Sequence, residues 1–384
     1  MPDSYYIMTV IRIAMTKFRN YQHAEFEFAP SMNILYGPNG AGKTSILEAI
    51  HCLAVTKSFR TSFDKELVQH GEDYYQLSGE FTTGESTETV QLNYMTNQGK
   101  KLILNNQEQR KLSSIIGRFP VVTLTPEDAD ITTGAPSVRR RYVNKIMSQG
   151  SADHLRHLIQ LRDILQQRNA VLQEAADFHS GQIDSTLMSV YDDQLIEISE
   201  KIAIARRVFL DAFQTAVQSV FRSLSNGDRT VDIRYSPSVR YESHGQFDSD
   251  FRESLRDRRN QELGFRRTIV GPQTDIIDIL LDGRSLRKYG SQGEHKLVLI
   301  ALKLAEGRYL RETMEKPPIY LFDDLFAELD VMRSQNVLQS IDAGGQILIT
   351  STDLNDVREH GIQVSGEDIA IFDLSEAQYH EAYE

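Results

Sequence analysis

The chain has 384 residues, 40% hydrophobic and 25% charged, a globular balance that can bury a large core and divide into two domains. One cysteine, Cys52, excludes an intramolecular disulfide. No run approaches the length of a membrane span and no basic-then-apolar leader opens the chain, so composition reads as that of a soluble cytoplasmic protein. A net charge of −12 excludes a globally basic nucleic-acid binder, and any DNA contact has to come from local basic patches.

Residues 8–36 alternate as strands do, through Val10, Ile11 and Ile13, then Glu25-Phe26-Glu27-Phe28, then Ile34-Leu35. Gly37-Pro38-Asn39-Gly40-Ala41-Gly42-Lys43-Thr44 follows, and Ser45 to Leu53 reads as a helix. This is a complete G-x-x-x-x-G-K-T phosphate-binding loop in the strand–loop–helix context its chemistry needs. Glycines let the backbone curl so that successive N–H groups face phosphate oxygens, and the helix adds its positive end. Lys43 is expected to reach the β and γ phosphates of ATP, and Thr44 to hold Mg²⁺ through its hydroxyl. A Gly-rich turn matching by chance would not need both flanking elements.

Further strands are expected at Tyr74 to Phe81 and Thr89 to Met95, joined by a hairpin through Thr82-Thr83-Gly84-Glu85-Ser86. Leu102-Ile103-Leu104 and Val121 to Leu124 follow, the latter stopped by Pro126. From Ser137 to Leu224 the pattern is helical. Tyr191, Leu195, Ile198, Ile202, Ala205 and Phe209 alternate steps of four and three, a heptad seam. Leu158, Leu161, Leu165 and Leu172 form a weaker partner that Arg168 interrupts, with His179-Ser180-Gly181 as the turn of an antiparallel pair. Periodicity alone fits a compact bundle equally well. Residues 226–267 are polar and Arg-rich, with a strand at Val231 to Tyr235. Strand–helix alternation then resumes. Ile276 to Leu281 is a strand turning at Asp282-Gly283, Glu294 to Met314 a helix, and Ile319 to Phe322 and Gln346 to Ile349 buried strands.

The strand Ile319-Tyr320-Leu321-Phe322 ends in Asp323-Asp324. Beside a phosphate loop, Asp323 would hold Mg²⁺ and Asp324 would orient the attacking water, with Lys43 and Asp324 the catalytic pair. A single βαβ unit needs only about 30 residues. Here the loop and the carboxylates lie near opposite ends of the chain, so the site is assembled from both ends with a helical region inserted between them. Tyr289-Gly290-Ser291-Gln292-Gly293-Glu294 opens a long helix one helix, turn and strand ahead of the carboxylates. An ordinary Ser/Gly helix cap would look the same in isolation.

That S-x-G turn resembles the signature motif of the ABC ATPases, and Ala327-Glu328-Leu329-Asp330 resembles their D-loop. The resemblance implies that Ser291 and Gly293 touch the γ-phosphate bound to a second protomer, so that ATP closes a head-to-tail homodimer. The match narrows further to the RecF family of SMC-like ATPases. It rests on Phe18-Arg19-Asn20-Tyr21, Ser58-Phe59-Arg60-Thr61, Pro126-Glu127-Asp128, Gly134-Ala135-Pro136-Ser137-Val138-Arg139-Arg140-Arg141, Gly271-Pro272, Ser291-Gln292-Gly293, Leu302-Lys303-Leu304-Ala305-Glu306 and Asp323 to Asp330. Gln273-Thr274, Glu294-His295-Lys296 and Asn144 depart from the family pattern. The resemblance implies an α/β, ABC-type P-loop ATPase head and ATP-dependent DNA binding in recombinational repair, replication restart and SOS induction. It also implies slow, DNA-stimulated hydrolysis and work with RecO and RecR. Relative to ABC proteins generally, Thr350-Ser351-Thr352 stands where a His is usual, and Glu127 or Asp128 would have to serve for a Gln. Asp324 replaces the usual Glu and is one methylene shorter, which predicts slow turnover, a switch more than a motor.

The expected organisation is an ATPase head from residues 1–126 and 268–384, with a mainly helical domain inserted at 127–267 that carries a short coiled-coil-like arm. Candidate DNA contacts are Arg139, Arg140 and Arg141. A second group is Arg252, Arg256, Arg258, Arg259, Arg266 and Arg267, and a third Arg284, Arg287 and Lys288. For each patch the competing reading is a solvated helix face or internal ion pairs, and Arg139 to Arg141 could equally brace the insert. No base-reading motif is present, so contacts without sequence preference are expected. Rival classes are a transporter's nucleotide-binding subunit, a nuclease with an ABC head, and an ATP-controlled protein scaffold.

Overall fold

The computed structural model describes residues 8–375 apart from 85, 178–184, 226, 228, 241–243, 325–330, 332–333, 336, 338–340, 342–344, 363, 365 and 367. The N-terminal elements are β1 (Met8–Phe18), β2 (Tyr21–Glu27), β3 (Met32–Tyr36), α1 (Lys43–Val55), β4 (Tyr74–Thr83), β5 (Ser86–Met95), β6 (Gly99–Leu104), β7 (Gln107–Glu108) and β8 (Val121–Leu124). Then come α2 (Asp130–Thr133), α3 (Pro136–Gly150), α4 (Ala152–Asp177), α5 (Ser185–Ser225), β9 (Val231–Ser236) and α6 (Phe247–Phe265). The chain ends through β10 (Ile276–Leu281), β11 (Arg284–Ser285), α7 (Leu286–Tyr289), α8 (Gln292–Met314), β12 (Ile319–Phe322), β13 (Ile347–Ser351), α9 (Leu354–Glu359) and β14 (Ile369–Asp373). None of the described helices is long and apolar enough to cross a membrane.

Two compact units result. The first gathers residues 1–129, 219–227 and 296–384, the second 130–218 and 228–295. Residues 268–295, grouped by the sequence reading with the C-terminal head, fall in the second unit. The physical reason is strand pairing: β10 runs antiparallel to β9 from Ile276 opposite Ser236 to Leu281 opposite Val231. After a short passage through the first unit at residues 219–227, the chain rejoins it within α8.

Among the described residues the first unit holds two sheets. One is parallel, in the order β14-β3-β13-β12-β8, and the other antiparallel, β2-β1-β4-β5-β6-β7. Three of the parallel strands, β8, β12 and β13, are short apolar runs buried along their length, as expected of strands covered on both faces. β3 is a neighbour of β13 and of β14, so the strand that feeds the phosphate loop pairs only with strands from the far end of the chain. The core combines Leu35, Ile46, Ile50, Leu53, Leu77, Phe81, Leu92, Phe119, Val121 and Leu321. Each such side chain contributes about 1.5–3 kcal/mol on burial. Two buried amides fix register. Asn33 clasps the backbone of Ala29 at both N–H and C=O (2.8 and 2.9 Å). Gln346 accepts from Val10 N–H (2.8 Å) and donates to the carbonyls of Val10 and Ala29 (2.9 and 2.8 Å).

In the second unit α4, α5 and α6 close around Leu161, Ile164, Leu195, Ile198, Ile202, Phe247, Phe251 and Leu255. Of the expected heptad positions, Leu195, Ile198, Ile202 and Phe209 are buried, and Tyr191 and Ala205 are half-buried. The buried face is wider than a two-helix seam, because Ile196, Ser199, Ala203, Arg206 and Leu210 are covered too. Ile196 and Ala203 join the cluster that Phe247, Phe251 and Leu255 of α6 complete, while Arg206 is engaged by Asn144 of α3, the Pro272 carbonyl and Asp275. The turn expected at His179-Ser180-Gly181 lies outside the described residues.

Arg168, which interrupts the α4 leucines, is fully buried against the equally buried Glu262 of α6. Its guanidinium donates to both Glu262 oxygens (3.0 and 2.6 Å), to Asp192 (2.9 Å) and to Thr268 Oγ1 (2.7 Å). A second buried pair joins Arg206 of α5 to Asp275 (2.7 Å), which also accepts from Tyr235 (2.6 Å) and from Ser238 N–H (2.8 Å). Asn144, one of the departures from the family pattern, accepts from Arg206 at 3.1 Å.

Candidate nucleotide site

β3 ends at Tyr36, and the loop Gly37 to Gly42 carries the chain into α1. Pro38, Asn39 and Gly40 stand exposed at its crest, and Ala41 and Gly42 are half-buried. Gly42 has φ +93°, and a Cβ there would sit 2.5 Å from the hydroxyl of buried Tyr21, which donates to the Ala41 carbonyl (3.4 Å). Gly42→Ala should therefore displace the loop at a strain cost of about 1–2 kcal/mol plus the clash. The expected result is loss of ATP binding with a lowered melting temperature, read by calorimetry; an alanine variant that binds ATP as the parent does would refute this account.

α1 is anchored from two sides. Arg19, after β1, donates twice to the buried Glu48 of α1 (both 2.7 Å), and the Ser58 hydroxyl donates to the same carboxylate. Two of the family-like segments thus serve to hold the helix behind the loop.

Lys43 Nζ donates to the carbonyls of Gly37 (2.5 Å) and Pro38 (2.9 Å), so the ammonium points back into the curl of the loop. Partial burial lowers its pKa, and the nearby Asp323 and Asp324 oppose that shift. Thr44 Oγ1 lies 3.0 and 2.9 Å from the two oxygens of Asp323, a contact between residues 279 apart in sequence. The two motifs predicted to share a site are therefore in direct contact. Asp323 follows β12, with its N–H on the Leu124 carbonyl (2.8 Å). Asp324 is exposed and holds a left-handed backbone, φ +54°.

No cluster of three or more His, Cys, Asp or Glu that could hold a metal occurs among the described residues. A hydroxyl and one carboxylate form an oxygen-only partial set. That suits Mg²⁺, which keeps several waters and completes its shell with phosphate oxygens. The residues present fit Mg-ATP.

Of the two acids offered in place of a Gln, Asp128 is engaged by Thr125 N–H (3.0 Å) and by the buried Lys303 (2.8 Å). Glu127 is exposed, 3.7 Å from Arg60. Thr350, which the sequence reading noted only as the absence of a His, donates to Asp323 (2.7 Å) and accepts from the Asp324 N–H (2.8 Å). A hydroxyl ending a buried strand beside the carboxylate strand was the available signal.

In the second unit, Ser291, Gln292 and Gly293 are exposed at the start of α8, behind the exposed Tyr289. Ser291 and Glu294 form a reciprocal capping box: Ser291 N–H donates to the Glu294 carboxylate (2.6 Å), and Glu294 N–H to Ser291 Oγ (3.3 Å). These bonds and Arg229 draw the Glu294 pKa down to about 2. The departure at Glu294 is thus the N3 acid of a cap. The D-loop-like Ala327 to Asp330 lies outside the described residues.

Among the basic candidates, Arg139 is only 3% exposed and spends its guanidinium on the carbonyls of Ile277 and Gly134 and on Asp278. This corrects its assignment as a DNA contact: it braces α3 against β10 within the second unit. Arg140 donates to the Asp275 carbonyl (2.6 Å), while Arg141 is exposed. Arg252 and Arg259 are held by Asp248, Asp193 and Asp192. Arg256, Arg258, Arg266, Arg267, Arg284, Arg287 and Lys288 are exposed.

The family model described as "RecF/RecN/SMC N terminal domain" matches residues 9–366. The chain is 35% identical to the DNA replication and repair protein RecF of Salinibacter ruber, covering 90% of this chain and 85% of that one. It is 37% identical to the RecF of Chlorobaculum tepidum, covering 90% and 94%. A solved structure of the recombination mediator protein RecF with ATP, in the RecFOR pathway, superposes with a TM-score of 0.87 at 28% identity, over 93% of this chain and 95% of that one. An Smc head bound to the C-terminal winged-helix domain of ScpA shares the fold alone, with a TM-score of 0.53 at 15% identity and 91% of each chain covered. The chain belongs to the RecF family of DNA replication and repair proteins, within the RecF/RecN/SMC group.

Proposed function

We propose that the chain is an ATP-dependent DNA-binding protein of recombinational repair and replication restart. It dimerises on ATP to clamp single-stranded, gapped or duplex DNA, and so supports recombinase loading and SOS induction. The observation that carries the nucleotide part is the contact of Thr44 with Asp323, which joins the phosphate loop to the carboxylate strand across nearly the whole chain. The RecF relatives support the DNA part.

In this reading Gly37, Pro38, Asn39, Gly40, Ala41, Gly42, Lys43 and Thr44 bind the phosphates, and Thr44 and Asp323 hold Mg²⁺. Bound there, the ion supplies positive charge to the phosphate oxygens. Lys43 exchanges the carbonyls of Gly37 and Pro38 for phosphate oxygens. Asp324 orients the attacking water and accepts its proton, and its short reach keeps turnover slow. Ser291 and Gly293 of a second copy close the site. DNA is contacted through its backbone, without sequence preference, by exposed cations such as Arg141, and RecO and RecR are the protein partners.

An ATP-controlled scaffold with little direct DNA binding is a second reading. The internal use of Arg139 and Arg140 favours it.

The test is molar mass by light scattering with and without Mg-ATP. The parent protein should double in mass with Mg-ATP. Ser291→Arg should bind ATP with unchanged affinity and remain monomeric. A mutant that still dimerises would remove Ser291 from the interface, and a parent that never dimerises would favour the scaffold.

A further inference from the structure

We infer that Thr350 is a positioning residue that holds both carboxylates of the nucleotide site at once. The inference rests on the reading of Asp323 as the metal-side acid and Asp324 as the water-side acid. Thr350 lies on β13, one rung beyond the pairing of Ile349 with Phe322 of β12, which sets it beside the end of the carboxylate strand. Its side chain is buried, and its hydroxyl makes two bonds. It donates to Asp323 Oδ1 at 2.7 Å and accepts from the Asp324 backbone N–H at 2.8 Å.

The direction of both bonds follows from chemistry. An ionised carboxylate only accepts, and an amide N–H only donates. The hydroxyl therefore gives its one hydrogen to Asp323 and a lone pair to Asp324. Its branched Cβ limits it to few rotamers, so the bridge is stiff.

Each end of the bridge does something different. Asp323 is approached by two hydroxyls, Thr44 from α1 and Thr350 from β13. Thr44 is the one expected to turn to Mg²⁺. Thr350 then remains as the donor that keeps the Asp323 carboxylate from rotating. At the other end, Asp324 has φ +54°, a backbone state that costs a non-glycine residue free energy. The accepted N–H bond stabilises that state and so sets the direction in which the Asp324 carboxylate leaves the chain. Thr350 thus couples the metal-side and water-side acids from within the stretch Thr350-Ser351-Thr352.

The test compares Thr350→Val, which keeps shape and removes the hydroxyl, with Thr350→Ser, which keeps the hydroxyl. Binding of a non-hydrolysable ATP analogue is measured by calorimetry across a Mg²⁺ titration, and turnover is measured separately. Without Mg²⁺ the valine variant should bind as the parent does. The Mg²⁺ concentration that half-restores tight binding should rise about tenfold, and turnover should fall about tenfold or more, the effect of losing one hydrogen bond to a charged acceptor. Serine should recover both to within about threefold. Thr350→Ala, which has less bulk to misplace, should behave as valine does and covers a failure of the valine variant to fold. Valine and alanine variants with the parent's Mg²⁺ midpoint and turnover would overturn the inference and leave the site reading intact. A parent protein whose nucleotide affinity ignores Mg²⁺ would instead sink the reading of Asp323, and the inference with it.

Discussion

Replacing Lys43 with Met should weaken ATP binding on the order of a hundredfold while leaving the fold intact. The ammonium already points into the loop, bonded to the carbonyls of Gly37 and Pro38 at 2.5 and 2.9 Å. Burial works against its charge, and the two neighbouring aspartates work for it. Bound phosphate would replace both carbonyls with charge-assisted bonds worth about 1.5–3 kcal/mol each, so losing two of them costs at least ~3 kcal/mol. Methionine keeps the length and the apolar stem, so the melting temperature without nucleotide should stay put. Calorimetric titration with ATP checks the result. Unchanged affinity would mean that the loop is not where ATP sits.

The second large effect concerns stability. Arg168→Met should destabilise the second unit by about 3–5 kcal/mol, because it strands a buried carboxylate. Arg168 and Glu262 are each 0% exposed, so no water can take over the lost bonds without opening the α4–α6 packing. Asp192 keeps Arg259 at 2.6 Å and suffers less. Adding Glu262→Leu to Arg168→Met should recover most of the loss, since a buried ion pair is often no better than apolar residues of similar volume. Urea denaturation followed by circular dichroism measures the parent and both variants. A single mutant as stable as the parent would show that the pair is solvated in solution. Recovery in the double mutant would assign the pair to selecting helix register over adding net stability.

The nucleotide side of the fold was legible in the sequence because its chemistry is local. Gly37 to Thr44, the strand ending at Asp323 and the turn at Ser291 are each short patterns whose residue types have few alternative uses. That two of them would touch followed from their roles, since a magnesium-binding hydroxyl needs a carboxylate beside it. The helical unit was less legible. α6 was hidden because its buried positions, Phe247, Phe251, Leu255 and Glu262, include an acid and are interleaved with arginines. Arg168 looked like a break in a leucine seam until its partner appeared from a helix 94 residues away in sequence. Arg139 illustrates the same limit from the other side. Three consecutive arginines look like a phosphate-binding surface, yet helix geometry turns one of them inward, and only the tertiary fold says which one. Several of the family-like segments read this way in the structure. Arg19 with Ser58, Arg139, and Lys303 with Asp128 are buried or partly buried polar braces, a use that leaves no local signature.

The pairing of β3 bears on how the protein is made. Both strands that flank it come after residue 346, so a growing chain carries β3 with two open edges and an apolar body until synthesis is nearly over. No nascent chain released before β12 contains the carboxylates, and none released before β14 has a closed sheet behind the loop. Closure of the sheet behind the phosphate loop therefore waits for β13 and β14, among the last of the described strands to be synthesised.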